Sequence, residues 1–374
     1  MAAYAPAVPD SAADRLEFDA PPLAALQPAS DDFAIEACDE LLDRAEAAGA
    51  SDLHLQPRRD GLAALIRIGG TLRELATAVP HGDRLVARMK VLAGLLTYRT
   101  DIPQEGRIAR PGERSIRLAT CPTVLGEKAV LRWTADSIRM TLPDLGLPDD
   151  TLVRWRQLLS SPQGLLLVTG PAGSGKTTTA YASLRAIQTQ SPTPRSLVSL
   201  EDPVEAILDG VAQTQLDPAG GWDFADGLRS ALRHDPEVLL VGEIRDADTL
   251  ATAIRGSLTG HLILSTMHTG SPAEAITRLL DMGIEPYLIA SSVRGVLQQQ
   301  LVRRVDGQRQ LLCDLLDLGD AALTALIKSH PTTQELTEAI GSRSVREQAE
   351  ELLRDGRIDE TEFVRVFGVR RSVG

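Results

Sequence analysis

The sequence predicts an α/β protein: a parallel sheet flanked by helices, a smaller α+β domain before it, and a helical region after it. Three observations carry this. Strand-like runs "GLLLVT" (164–169), "SLVSL" (196–200), "EVLLV" (237–241) and "HLILST" (261–266) alternate with helical segments near 175–188, 223–233, 246–257 and 272–281. Such apolar runs suit a parallel sheet covered on both faces. Upstream of residue 151, short strand-like pieces surround a single helix instead. Downstream of about residue 286 the chain reads as mainly helical.

In chain order, residues 1–30 are rich in Ala and Pro without a sustained period, and read as a flexible arm. Residues 31–140 form the expected small domain. Its first helix is capped at Asp31 or Asp32, carries Phe33, Ile35, Ala37, Leu41, Leu42 and Ala45, and stops at Gly49. Strands are expected at 62–68, 107–110, 114–120 and 128–133, in a mostly antiparallel sheet, with a helix over 81–97. "LPDLGLPDD" (142–150) reads as a linker, assigned to 141–150. The sheet domain covers 151–305 and the helical region 306–374.

The bulk properties narrow the function. The chain has 374 residues, 43% hydrophobic, with a net charge of -12. An acidic balance argues against nucleic-acid wrapping, and 3% aromatics provide few stacking platforms. Cys38, Cys121 and Cys313 are far apart and make no metal-spaced cluster, so no zinc is expected and a reducing compartment fits. No apolar run approaches the roughly eighteen residues needed to span a bilayer. No secretory signal is evident.

"GPAGSGKTTT" (170–179) matches G-x-x-x-x-G-K-[ST] between an apolar strand and a helix. Gly170, Pro171, Ala172, Gly173, Ser174, Gly175, Lys176, Thr177 and Thr178 are the expected phosphate-binding set. Their backbone N–H groups curl around anionic oxygens at a helix N-terminus. Lys176 is expected on the β- and γ-phosphates, and the Thr177 hydroxyl on magnesium. No guanine-reading N-K-x-D pattern occurs, which favours ATP.

Acids follow the later strands. Glu243, after "EVLLV", is expected at the end of a central strand beside the cradle's own strand, as general base for an attacking water. The place where an Asp usually holds magnesium is Gly242, and a water-held magnesium tolerates this. In "LEDPVE" (200–205), Glu201 reads as a magnesium- or water-orienting acid, or else as part of a capping turn. His268 follows the last of the four strands and is placed to sense the γ-phosphate. His261 enters that strand and reads as structural.

The cradle, "LEDPVE", "GLRSALRHDPEVLLVGEIRDADT" and "TGHLILSTMHT" occur in that order. Upstream lie "GASDLHLQP", "LIRIGG", "IPQEGRI" and "CPTVLGEKAVLR". Over roughly residues 33–305 the chain resembles the bacterial secretion ATPases that power type II secretion and type IV pilus assembly. "IPQEGR" and "PTVLGEK" favour the secretion and pilus-extension branch over the retraction motors. The resemblance implies a P-loop, RecA-like ATPase domain behind a PAS-like α+β domain, six subunits in a ring, and ATP with Mg2+. It implies Glu243 as catalytic base, an acidic box at Glu201, Asp202 and Glu205, and a histidine box ending at His268. By position, Arg117 and Arg132 of the small domain and Arg229 and Arg233 of the motor domain match arginines that approach ATP. Partners would be inner-membrane platform proteins, and the chain would be cytoplasmic, peripheral to that membrane through them. Longer members carry an extra N-terminal docking domain, whereas about thirty residues precede the small domain here. The four-cysteine zinc site of many members is replaced by "QQLVRRVDGQRQLLCDLL", with Cys313 alone.

Three functional readings follow. The first is a motor for type II secretion, pilus extension or competence-type DNA uptake. The second is a nucleotide-dependent assembly module with negligible turnover. The third, DNA translocation, is disfavoured by the charge.

Overall fold

The computed structural model describes residues 32–369 except 69–70, 110–114, 134–138, 192 and 217–220. The expected arm at 1–30 lies outside the described residues. Contacts divide the chain into two units, 1–134 and 135–374.

In the first unit, six strands form an antiparallel sheet: β1 (Asp52–Arg58), β2 (Gly61–Ile68), β3 (Thr71–Val79), β4 (Gln104–Ala109), β5 (Ser115–Thr123) and β6 (Gly126–Trp133). Their spatial order is β3-β2-β1-β6-β5-β4. The helices are α1 (Phe33–Ala47) and α2 (Gly82–Leu92). Strand side chains alternate between faces. Leu53, Leu55, Ile116, Leu118, Ala129 and Leu131 therefore share one face, and they form a core with Phe33, Leu41 and Met89 of the helices. Two strands, β1 and β3, were not legible. β1 ends in Gln56, Pro57 and Arg58, and Thr71, Leu72, Glu74 and Thr77 of β3 are exposed, so neither shows a clean apolar signature. The helix is also shorter than the expected 81–97, ending at Leu92.

In the second unit, α3 (Asp149–Leu159) precedes β7 (Gly164–Thr169), α4 (Lys176–Gln190), β8 (Leu197–Glu201), β9 (Ala212–Gln215) and α5 (Phe224–Ala231). Then come β10 (Val238–Val241), α6 (Ala247–Leu258), β11 (Leu262–Met267), α7 (Pro272–Asp281) and α8 (Pro286–Ser292). The sheet order is β13-β12-β7-β11-β10-β8-β9. All neighbours from β12 to β9 are parallel. Alternation divides the core. Leu165, Leu167, Leu239 and Val241 meet α5 to α8 on one face. Leu166, Val168, Val238 and Leu240 meet α3 and α4 on the other.

Two features differ from the expectation. The chain after residue 286 does not continue as helices. It forms β12 (Val293–Arg303) and β13 (Arg309–Asp317), an antiparallel hairpin added to the sheet beside β7. Both strands run through near-continuous buried stretches, which periodicity cannot separate from buried helix. Helices α9 (Ala321–Ile327), α10 (Thr333–Ile340), α11 (Val345–Arg354) and α12 (Glu360–Phe367) follow. The last two build a satellite core of Val345, Leu352 and Phe363 on Val302 and Leu312 of the hairpin. Second, the segment read as a linker is packed into the second unit: Leu142 and Leu147 are buried in the core of α3 and α4.

Candidate functional site

The site forms where β7 hands over to α4. Gly170 leaves the strand at φ 144, which favours glycine. A Cβ there would meet the Gln299 carbonyl oxygen at 2.3 Å and the Ser174 Oγ at 2.6 Å. The loop of Pro171, Ala172, Gly173 and Ser174 then curls to Gly175, the N-cap of α4. Lys176 and Thr177 open the helix and line a cleft of about 250 Å³, as do Ala172 and Gly173. Thr178 lies in the same first turn. Ser174 is fully buried beneath the loop.

The Lys176 ammonium donates to the carbonyls of Gly170 (2.8 Å) and Pro171 (2.9 Å). It also lies 3.3 Å from His268 Nδ1. Burial lowers its basicity, and the nearby Glu243 opposes that. His268 Nε2 is in turn 3.3 Å from Glu243 Oε1, and Arg245 pairs with Glu243 Oε2 at 2.8 Å. One network therefore joins Lys176, His268, Glu243 and Arg245.

Glu243 follows β10, but β10 does not lie beside the cradle strand as expected. β11 runs between them. A short apolar strand carries no label for its neighbour, so the order of parallel strands is a tertiary outcome. The consequence is chemical: His268, at the end of β11, stands between Lys176 and Glu243. Gly242 is also explained. A Cβ there would sit 3.2 Å from the Leu200 carbonyl oxygen and 3.4 Å from Glu201 Cα, so the magnesium-binding Asp common at this place would be crowded.

Glu201 ends β8, next to β10. It lines the cleft, yet it is 3% exposed and its carboxylate is engaged by protein. Tyr181 donates to Oε2, while Ser199 Oγ (2.6 Å) and Gln213 Nε2 (3.1 Å) donate to Oε1. Burial pushes its acid form up, against those hydrogen bonds. Asp202 and Glu205 line the same cleft without that degree of burial. His261 bonds the Gly256 carbonyl at the end of α6, a structural contact.

The four arginines are placed separately. Arg117 and Arg132 face one another in register on β5 and β6 of the first unit. Arg132 Nε donates to Asp52 at 2.7 Å, and Arg117 lies 4.0 Å from Glu105. Arg229 and Arg233 lie at and just past the end of α5 in the second unit. Arg229 pairs with Asp226 at 2.5 Å, and Arg233 donates to the Arg229 carbonyl. None of the four is among the residues lining the cleft.

Gln299 and Arg245 were not anticipated. Gln299 of β12 is fully buried and donates to the Ser174 carbonyl at 2.5 Å, forming the floor of the loop. Its signal was the "QQQ" at 298–300 inside an apolar run, since a buried polar side chain must find a partner. Arg245 lies in the charged run that follows "EVLLV", which carries no local mark of its partner.

A glycine-bearing loop between a central parallel strand and a helix, with a Lys and Thr at the helix start, defines a RecA-like P-loop protein. The chain belongs to the Type II/IV secretion system protein family, whose model matches residues 27–371. It is 44% identical over 274 residues to the type II secretion system ATPase E of Vibrio cholerae, covering 72% of this chain and 54% of that protein. It is 37% identical over 387 residues to the type II secretion system protein HxcR of Pseudomonas aeruginosa, covering 94% and 81%. The type IV pilus assembly ATPase PilB of Thermus thermophilus is 42% identical over 262 residues, covering 68% and 29%. The chain spans about half the length of the first curated relatives it matches. Among solved structures, the pilus retraction motor PilT with bound ADP superposes with a TM-score of 0.72 at 26% identity, covering 87% of this chain and 96% of that one. No helix among the described residues is long and apolar enough to cross a membrane.

Proposed function

We propose that the protein is an ATP-hydrolysing motor of type II protein secretion, working as a ring of six subunits on an inner-membrane platform. The observation that carries this reading is the network running from Lys176 through His268 to Glu243 across the mouth of the phosphate loop. It joins the anion-binding lysine to a carboxylate suited to accept a proton from water. Family membership, with the likeness to secretion ATPases along most of the chain, supports the cargo assignment.

In this reading the loop N–H groups and Lys176 hold the phosphates. Lys176 exchanges its contacts with the Gly170 and Pro171 carbonyls for phosphate oxygens. Glu243 orients the attacking water and takes its proton, and His268 carries the state of the phosphate end to Glu243. Arg245 holds the Glu243 carboxylate in place through their ion pair. The cleft fits magnesium in one way: Thr177 lines it, whereas the Glu201 oxygens are already committed to three donors. Thr177 would hold the ion directly, with Asp202 and Glu205 reached through water; when bound it neutralises phosphate charge. Arg117, Arg132, Arg229 and Arg233 are assigned to charge stabilisation within the assembled ring, where such arginines contribute about 10³-fold or more.

Pilus extension is the second reading, favoured by the identity to the pilus assembly ATPase. Phosphate release by the purified protein with Mg-ATP, wild type against Glu243→Gln, tests the chemistry. Equal rates would remove Glu243 from its role. Restoration of secretion, rather than of pili, in a strain deleted for this chain decides the cargo.

A further inference from the structure

Tyr181 is a phenol with no exposure, five residues past Lys176 in α4. A buried phenol usually keeps a partner for its hydroxyl. This one has three. Its O–H donates to Glu201 Oε2, and its oxygen accepts from the backbone N–H groups of Glu205 (3.1 Å) and Ala206 (3.5 Å). One proton and two lone pairs exhaust what a phenol offers. The acidic loop that follows β8 therefore hangs from the helix that carries Lys176 and Thr177.

A second tie completes the frame. Gln213 of β9 donates to both Glu201 Oε1 and the Ala206 carbonyl, and accepts from the Leu208 N–H at 2.6 Å. Ser199 occupies the remaining side of Glu201. With its carboxylate spent on these donors, Glu201 serves as the hub of a buried scaffold. Asp202 and Glu205, which border the cleft, are the acids this scaffold presents.

We infer that Tyr181 is a positioning residue that couples the phosphate-loop helix to the acidic loop, so that α4 and the carboxylates at 202–205 move as one body. This rests on the ATPase reading above. Simple core packing would need only the ring, and Phe would supply it. The hydroxyl is what the coupling requires. Removing it strands a buried carboxylate oxygen and two amide N–H groups.

The test is Tyr181→Phe in the full chain, read two ways. Hydrogen exchange is expected to speed up about tenfold or more at the Glu205 and Ala206 amides, with α4 itself unchanged. Turnover of Mg-ATP is expected to fall about tenfold, with nucleotide affinity within about twofold and a higher Mg2+ concentration for half-maximal rate. Glu201→Gln breaks the same node from the other side. The double variant is expected to lose no more than the worse single one, because neighbouring groups in one network are not additive. Wild-type exchange and turnover in Tyr181→Phe, or additive losses in the double variant, would overturn the coupling. Absence of turnover in the wild-type ring would sink the ATPase reading instead, while the exchange of residues 205 and 206 still decides whether Tyr181 holds the loop.

Discussion

His268 stands between Lys176 and Glu243, its two ring nitrogens each 3.3 Å from one of them. The bridge exists because β11 is inserted between the strand that leads to the phosphate loop and the strand that leads to Glu243. His268→Ala removes the tie and leaves both charged groups in place. Turnover is expected to fall about 10- to 100-fold, a range typical of a lost proton-handling or orienting group. Nucleotide affinity should change little. A fluorescent-nucleotide titration beside a phosphate-release assay separates the two effects.

Glu243→Gln keeps the shape of the side chain and its place beside Arg245, but removes the proton acceptor. Turnover is expected to drop by about 10² or more, with ATP still bound. Trapped, unhydrolysed ATP in the purified variant is the expected product of incubation. A variant that turns over like wild type would transfer the role to another acid of the cleft.

Gln299 holds the phosphate loop from below, through the Ser174 carbonyl. Gln299→Ala leaves that buried carbonyl without its donor, a loss of about 1–3 kcal/mol. The loop loses its floor at the same time. A lower denaturation midpoint and a several-fold higher KM for ATP are expected together. A destabilised protein with an unchanged KM would show that the loop keeps its shape without this contact.

Gly242→Asp places a carboxylate where related nucleotide sites carry one. Here the new Cβ would press on the Leu200 carbonyl and the Glu201 backbone. Overpacking of this kind is worth roughly 1–3 kcal/mol of stability. The variant is expected to melt lower and to turn over more slowly than wild type. A faster enzyme with tighter magnesium dependence would contradict the packing argument.

Asp52 gives a pH-dependent prediction. Burial alone would raise its pKa, but hydrogen bonds from Arg132 and Ser51 and the Arg132 charge bring it below the ordinary 3.8. In acid the unfolded chain takes up this proton first. The stabilisation is thus complete above the ordinary value and is lost as pH falls through the depressed one. Asp52→Asn should lower stability by about 1 kcal/mol near neutral pH, modest because Arg132 is largely exposed. The gap to wild type should narrow as pH falls below the ordinary value of 3.8. Urea midpoints for both proteins at pH 7 and pH 3 measure this.

Much of the architecture was legible because its signals are local. The phosphate loop needs glycine backbone and a Lys-Thr pair at one spacing, so residues 170–177 announced themselves. The four parallel strands were found within one residue at each end, since each is a short apolar run between turn-forming residues. Glu201, Glu243 and His268 were nominated because they follow those strands, and parallel strands deliver such residues to one edge. The hairpin β12–β13 was not recoverable. Buried on both sides, it lacks the alternation that separates strand from helix.

The residues of the sequence by themselves determined which groups stand at the carboxyl edge of the sheet, because strand direction and chain order dictate that. They did not determine which of those groups touch. Only tertiary packing set the order β12-β7-β11-β10-β8, which puts His268 between lysine and glutamate, slides Gln299 under the loop and closes Tyr181 over Glu201. Contacts between groups far apart in the chain depend on which strands become neighbours, and apolar strands of similar length carry no local mark of that choice.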